Sequence, residues 1–197
     1  MAAAPPTWLD ALAAPPADAA EVLRFWYGDT DAFRGAWFAR DDAFDADIRA
    51  RFGALFERAA SGALDEEWAA TPLGAVALVI VLEQFSRNMF RGSARAFSAD
   101  ARALAVAKRA VARGLDKGLS PLKAMFLYLP FEHSESLEDQ ARSVELMSSL
   151  GVAQLVDFAE QHRVVVERFG RFPHRNAVLG RESTPEEVEF LKTHKGF

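Results

Sequence analysis

One run of residues, 73–82, is apolar on every side of any helix it could form, and it constrains the fold more than any other feature of the chain. The run follows Thr71-Pro72, a pair typical of a helix start because threonine caps a helix and proline fits its first position. It ends at Glu83 and is far shorter than the roughly twenty residues that a bilayer span requires. We therefore predict a buried helix at the centre of a globular domain.

Helix start and stop signals recur along the rest of the chain, with apolar residues spaced three and four apart between them. No segment alternates apolar and polar residues as a half-buried strand does, and residues 164–166 lie within a longer helical pattern. These signals predict an all-α fold, a single domain over residues 18–197 with about seven or eight antiparallel helices, arranged as a bundle or as helical hairpins. Residues 1–17 are predicted to form a flexible arm rich in alanine and proline. The predicted starts are Asp18 with Glu21 as a capping box, Asp41 or Asp42, Thr71, Ser98, Ser120, Ser136 and Thr184, and the predicted stops are Gly28, Gly62, Gly114 and Gly151.

Charge and cysteine content exclude several classes of function. The 197 residues carry a net charge of -5, whereas non-specific nucleic-acid binding needs a basic surface. The chain has no cysteine, which excludes disulfides, thiolate metal sites and cysteine nucleophiles and is compatible with a reducing cytoplasm. Its first residues lack the basic segment of a signal peptide. We expect a cytoplasmic protein with neither a nucleic-acid nor a membrane partner, and its oligomeric state stays open.

The first of three polar segments, LEQFSRNMFRGSARAF, covers residues 82–97 at the end of the central helix. Glu83 and Arg87 are four residues apart and so share one helix face, and Asn88 follows directly. An ion pair within the helix would explain the first two residues without any function. If this helix end is buried, however, the charges need partners from elsewhere in the fold.

The second polar segment, YLPFEHSES, covers residues 128–136. Pro130 is predicted to interrupt an apolar helix, with Glu132 and His133 at the break. A carboxylate beside an imidazole can exchange protons near neutral pH. A turn with polar capping residues is the structural alternative.

The third polar segment, RFGRFPHRNAVLGRESTPEE, covers residues 168–187. Gly170 and Pro173 prevent a continuous helix, so Arg171, His174, Arg175 and Asn176 are presented from a loop. Arginine forks match the oxygens of a carboxylate or phosphate. The structural alternative is that these arginines hold the C-terminal segment against acidic residues of the protein itself.

Sequence spacing gives no support for a metal or for a serine nucleophile. His133, His162 and His174 are widely separated and lack the spacing of HExxH or a comparable metal motif. A GxSxG turn and a glycine-rich phosphate loop are also missing. We expect no metal and no cofactor, and a metal-dependent hydrolase ranks third among the functional hypotheses.

Five ordered motifs together give a family resemblance over about residues 22–191: VLRFWYG, WFARDDAFDADIRARF, LEQFSRNMFRGSARAF, FLYLPFEHSESLEDQ and RFGRFPHRNAVLGRESTPEE. They resemble the bacterial family catalogued as domain of unknown function 924. The resemblance implies an all-helical domain similar to tetratricopeptide-repeat folds and no established activity. The motif positions that it carries over are Glu83, Gln84, Arg87, Asn88, Arg91, Glu132, His133, Ser134, Glu135 and residues 170–176.

Two functional hypotheses follow. In the leading one, the three polar segments form one pocket that binds an anionic small molecule or a peptide terminus, and His133 or His174 with a neighbouring carboxylate could move a proton. In the alternative, the chain is a non-catalytic scaffold for a protein segment, and the same residues form an internal network of salt bridges. The sequence does not decide whether the protein is an enzyme. The predicted ligand-binding residues are Glu83, Arg87, Asn88, Glu132, His133, Arg171, His174, Arg175 and Asn176.

Overall fold

The computed structural model describes residues 14–29, 32–194 and 196–197. Within that part the chain forms a single helical domain of nine α-helices with no strand. The first thirteen residues of the predicted N-terminal arm lie outside the described residues. The helices are α1 (Ala17–Tyr27), α2 (Asp42–Ala60), α3 (Asp65–Trp68), α4 (Pro72–Val79, continuing without a break as Ile80–Phe85 and Ser86–Met89), α5 (Asp100–Ala112), α6 (Pro121–Glu132), α7 (Leu137–Ser148), α8 (Ala153–Phe169) and α9 (Pro185–Thr193), and three short 3-10 helices cover Gly35–Trp37, Ala94–Phe97 and Pro173–Arg175.

Helix α4 is the central element, as the apolar run predicts. Its residues from Leu73 to Phe85 are all buried, and α1, α2, α5 and α6 pack around it. Burial on all sides removes every apolar side chain of the run from water, which is the largest favourable term available to such a segment. No helix in the described part of the chain is long and apolar enough to cross a membrane.

The middle of α4, Ile80–Phe85, is a π-helix rather than an α-helix. A π-helical turn takes one more residue than an α-helical turn, so it rotates every later side chain relative to the α-helical spacing. Glu83 lies inside this turn and Arg87 follows it, and despite the four-residue spacing Glu83 contacts His133 instead of Arg87. The ion-pair partner of Arg87 is Asp100, at the start of α5.

Three of the predicted helix caps are formed. The side chains of Asp41, Thr71 and Thr184 each accept a hydrogen bond from a backbone amide in the first turn of α2, α4 and α9, and Thr184 forms a full capping box with Glu187. Ser120 and Ser136 lie at the N-caps of α6 and α7 as predicted, but their side chains accept no capping hydrogen bond. Two other predictions are wrong. The capping box at Asp18 is not formed, because α1 begins at Ala17, and Ser98 lies in front of α5, where its hydroxyl donates to the carbonyl of Arg95.

Pro130 does not interrupt α6, contrary to the sequence prediction, because the helix runs through it to Glu132. The helix ends only at His133, whose backbone amide still bonds the carbonyl of Leu129. Glu132 and His133 are therefore the last helical residue and the cap of a buried helix. Their side chains are positioned by a rigid element and not by a loop.

Gly74→Ala is expected to lower the free energy of unfolding by about 1–3 kcal/mol, since it overpacks a closed turn. A Cβ atom at Gly74 would overlap the backbone carbonyl oxygen of Trp68 and come within 2.8 Å of the Thr71 hydroxyl that caps α4. Gly53→Ala in α2 is the matched control, because a Cβ there meets nothing within 4 Å. It should stabilise the protein by ~0.5–1 kcal/mol through better helix propensity. Urea unfolding of both variants measures the two effects, and equal shifts would contradict the expectation.

Candidate functional site

Glu83 is completely buried at the centre of the site, and its partner is His133. Its Oε1 lies 2.8 Å from Nδ1 of His133, and the side-chain amide of Gln84 donates to its Oε2 at 3.0 Å. Burial alone would raise the pKa of Glu83, but the charge and hydrogen bond of His133, the charge of Arg87 and the Gln84 bond outweigh it and lower the pKa. Glu83 is therefore a buried carboxylate that orients the His133 ring.

A second carboxylate and imidazole lie beside this pair, on α6 and α8. Oε1 of Glu132 is 3.3 Å from Nδ1 of His162, which also lies 2.8 Å from the backbone carbonyl of Phe158. Burial raises the pKa of Glu132 to about 7, with the charge of His133 opposing and that of Glu83 adding to the shift. Burial and the charge of His133 lower the pKa of His162 to about 3. Near neutral pH, His162 is uncharged and Glu132 can gain or lose a proton.

Arg175 reaches the same place from the 3-10 turn that follows α8. Gly170 ends α8 in the left-handed conformation, with φ of 67°, and turns the chain back toward α6. Nη1 of Arg175 donates to the backbone carbonyl of His133 at 3.0 Å, and its guanidinium lies over the rings of Phe172 and Phe97, at 4.4 and 5.1 Å from their centroids. Burial and the charge of Arg87 lower the pKa of Arg175 to about 10. The group is thus a buried cation at neutral pH.

These groups surround a cavity of about 210 Å³, which we name the imidazole cavity. Glu83 and Glu132 lie behind its wall, next to His133 and His162. Burial and the charge of Arg175 lower the pKa of His174 to about 4, so this lining imidazole is also uncharged at neutral pH. The lining residues are Arg87, Arg91, Gly92, Ala96, Phe97, His133, His162, His174, Arg175, Val178 and Phe197.

Arg87 lines the cavity while holding its own carboxylate partner. Its two terminal nitrogens donate to the two carboxylate oxygens of Asp100, each at 2.8 Å, and one of them also bonds the backbone carbonyl of Ala96. Its guanidinium lies 4.4 Å from the centroid of Phe97. Arg87 therefore contributes positive charge to the cavity, but its guanidinium is already paired with the carboxylate of Asp100.

Asn88, which the sequence assigned to the pocket, faces a different part of the molecule. Its amide donates to Oδ1 of Asp45 in α2 at 2.7 Å, and Arg91 donates to both oxygens of the same carboxylate. This cluster borders a second cavity, of about 460 Å³, between α2 and the end of α4. Asn88 therefore helps to join α4 to α2 and does not line the imidazole cavity.

Arg171 and Asn176 also point away from the cavity and hold α9 in place. Arg171 donates to both oxygens of Glu187, at 2.6 and 2.8 Å, and the Asn176 amide donates to the same carboxylate at 3.3 Å. The Arg171 hydrogen bond is the main cause that lowers the pKa of Glu187 to about 2. These two residues therefore hold the C-terminal segment against an acidic residue of the protein itself, as the structural alternative for this segment describes. We name this group, Arg171, Asn176 and Glu187, the C-terminal clasp.

The structure thus brings together six of the nine residues predicted for the pocket, Glu83, Arg87, Glu132, His133, His174 and Arg175. Seven further residues line the cavity that were not among the predicted ligand-binding residues: Arg91, Gly92, Ala96, Phe97, His162, Val178 and Phe197. The sequence does carry a signal for His162, which lies on the buried face of α8 with Ala159 and Val166. A histidine at an apolar position of an amphipathic helix needs a buried partner.

The chain is similar to proteins whose function is not established. Residues 22–195 match the family described as bacterial protein of unknown function, DUF924. A solved structure of a protein of unknown function from Agrobacterium tumefaciens, ATU0120, superposes with a TM-score of 0.83 at 41% sequence identity, over 90% of this chain and 98% of that one. No curated protein matches the chain. The chain therefore belongs to the DUF924 family of bacterial proteins of unknown function.

Proposed function

We propose that the protein binds a small anion, such as the carboxylate or phosphate group of a metabolite or a peptide terminus, in the imidazole cavity. The observation that carries the proposal is that Arg175 is buried without a two-point contact to a carboxylate. Its side chain is 8% exposed, the nearest carboxylate oxygen, on Asp100, is 3.8 Å away, and its buried Nε has no hydrogen-bond partner among the described residues. A buried guanidinium without a bidentate acid is costly unless something else supplies the negative charge.

The other arginines of the same segment provide the contrast. Arg171 and Arg181 each form a two-point contact with a carboxylate, Glu187 and Glu135 respectively. Closed pairs of this kind favour the alternative hypothesis, a tetratricopeptide-like scaffold with an internal salt-bridge network, for the part of the segment that they occupy. The Nε atom of Arg181 also has no hydrogen-bond partner among the described residues, so what distinguishes Arg175 is deeper burial and the lack of a two-point carboxylate contact. Its fork matches the geometry of a carboxylate or phosphate.

The lining of the cavity supports an anion of small size. Its charged lining groups are three arginines, and no aspartate or glutamate is present among the lining residues in the described part of the chain. The volume of about 210 Å³ lies below the roughly 300–1,000 Å³ of pockets that enclose drug-sized ligands. This space suits a phosphate or a short carboxylic acid better than a nucleotide. The cytoplasm, where such metabolites are available, is the proposed location.

Arg175→Ala tests the proposal against Arg168→Ala, which removes the same charge from the same segment at an exposed ion pair. Both variants and the unchanged protein are titrated with inorganic phosphate and with malonate in the presence of a chelator, and native mass spectrometry of the fresh proteins detects any retained molecule. We expect Arg175→Ala to weaken anion binding about 10- to 100-fold, as for a lost hydrogen bond to a charged group. Arg168→Ala should bind normally. The proposal is wrong if the unchanged protein retains no anion and neither anion binds at millimolar concentration.

A further inference from the structure

We propose that Glu132, His133 and His162 form a binding site for a divalent transition-metal ion such as Zn²⁺ at the inner wall of the imidazole cavity. One potential ligand atom from each residue lies within 4.8 Å of the other two. The proposal goes beyond anion binding and does not depend on it. The sequence-based expectation of no metal rested on spacing along the chain, whereas the fold joins the end of α6 to the middle of α8.

The hydrogen bonds of His162 leave one ring nitrogen free to bind a metal. A backbone carbonyl can only accept, so the 2.8 Å contact with Phe158 places the ring hydrogen on Nδ1 and the lone pair on Nε2. That Nε2 atom is buried and has no hydrogen-bond partner among the residues described. Phe197 stacks on the ring, with centroids 3.6 Å apart, and so covers its face, whereas the lone pair lies in the ring plane. A buried basic nitrogen with no donor among the described residues is free to bind a metal ion.

His133 has the complementary arrangement. Its Nδ1 lies 2.8 Å from the carboxylate of Glu83, so a hydrogen on Nδ1 is donated to Glu83 and Nε2 carries the lone pair. Histidines that bind metals commonly donate their other ring N–H to a carboxylate or to a backbone carbonyl, which fixes the tautomer and the ring orientation. Here His133 contacts the carboxylate of Glu83, and His162 contacts the backbone carbonyl of Phe158.

Glu132 supplies the third ligand and the charge. Its side chain is 5% exposed, and a carboxylate with two imidazoles is a common donor set for zinc that leaves a fourth position open. The ligand atoms of the three residues lie within 4.8 Å of one another, whereas zinc ligand atoms at bond lengths of about 2.1 Å lie about 3.4 Å apart in a tetrahedral site, so the three groups must draw together when a metal binds.

The charges near the site are compatible with a metal that also contacts an anion. With both imidazoles neutral, as metal ligands must be, and Arg91 paired with Asp45, the carboxylates of Glu83, Asp100 and ionised Glu132 face the two arginines Arg87 and Arg175, which leaves one negative charge before the metal binds. A divalent cation changes this to one positive charge. An anion at the open metal position, next to Arg175, would then neutralise the cavity.

Cobalt titration of the untagged full-length chain tests the proposal, because tetrahedral Co²⁺ has a visible absorption band that reports its ligands. We expect one Co²⁺ per chain by equilibrium dialysis and the appearance of this band, and displacement by Zn²⁺. His162→Gln and Glu132→Gln each remove a ligand and should weaken binding by at least about 100-fold. Glu83→Gln should weaken it about 10- to 100-fold, as for loss of an outer hydrogen bond to a ligand. Circular dichroism melts establish that each variant is folded.

His194→Gln is the matched control, because His194 is an imidazole that neither lines the cavity nor belongs to the three ligands. It should bind Co²⁺ as the unchanged protein does. The proposal is overturned if Co²⁺ does not bind at millimolar concentration, or if His162→Gln and Glu132→Gln bind it unchanged. Phosphate binding in the presence of a chelator, together with absent Co²⁺ binding, would refute the metal site and leave the proposed anion site intact. Co²⁺ binding without anion binding would support the metal site and refute the proposed anion site.

Discussion

Glu132→Gln is expected to raise the free energy of unfolding by about 3 kcal/mol at pH 8 and to leave it nearly unchanged near pH 4, with a chelator present in both cases. Burial raises the pKa of Glu132 from 4.5 to about 7, and the folded protein must bear the cost of an ionised, buried carboxylate above that pH. Each pKa unit corresponds to about 1.4 kcal/mol, so the shift amounts to roughly 3 kcal/mol. Glutamine keeps the shape and removes the charge.

The sign of the pH dependence follows from the direction of the shift. Because the folded state holds the proton more tightly than the unfolded chain, the stability contributed by Glu132 is fully present below about pH 4.5 and is lost as the pH rises through about 7. Urea unfolding at pH 4, 6 and 8 should therefore show the two proteins diverging only above pH 4.5. Glu182→Gln makes the same chemical change at an exposed residue and should shift stability by less than ~0.5 kcal/mol. Equal stability of Glu132→Gln and the unchanged protein at pH 8 would contradict the prediction.

Local signals made most of the fold predictable from the sequence. Asp41, Thr71 and Thr184 form the caps predicted for them, because a cap needs only backbone amides within the next three residues. The predicted caps are wrong where contacts with residues distant in the sequence determine the local structure. Asp18 and Glu21 pair with Arg58 and Arg51 of α2 instead of capping α1. The short α3 was not predicted, since four residues carry too little periodicity to recognise.

The candidate site could be predicted only in outline. Residues from all three polar segments lie at or behind the wall of the imidazole cavity, but the sequence could not say which arginine pairs with which acid. Asp100 pairs with the guanidinium of Arg87, and Glu187 pairs with the guanidinium of Arg171. Both pairs depend on distances that only the folded chain defines. The π-helical turn at Glu83 was equally hidden, because a run that is apolar on every side has no periodicity from which to read the helix type.

His133→Ala is expected to lower the free energy of unfolding by about 3–5 kcal/mol near neutral pH, the usual cost of breaking a buried pair from one side. Glu83 would keep the hydrogen bond from Gln84 but lose its 2.8 Å contact with the imidazole while remaining fully buried. The variant therefore has to bury an uncompensated carboxylate or protonate it. His174→Ala, which removes an imidazole from the wall of the same cavity, should cost much less, because the ring of His174 holds no buried carboxylate in place.

A double variant separates the charge effect from the loss of packing. If the uncompensated Glu83 carboxylate is the cause, adding Glu83→Gln to His133→Ala removes the buried charge, and the double variant should be more stable than His133→Ala alone. Urea unfolding of the two single variants and the double variant at pH 7, with a chelator, completes the cycle. A double variant that is less stable than His133→Ala, with losses that simply add, would mean that packing dominates. Glu83 and His133 would then act as independent core residues, and the carboxylate would have no measurable role in holding the imidazole.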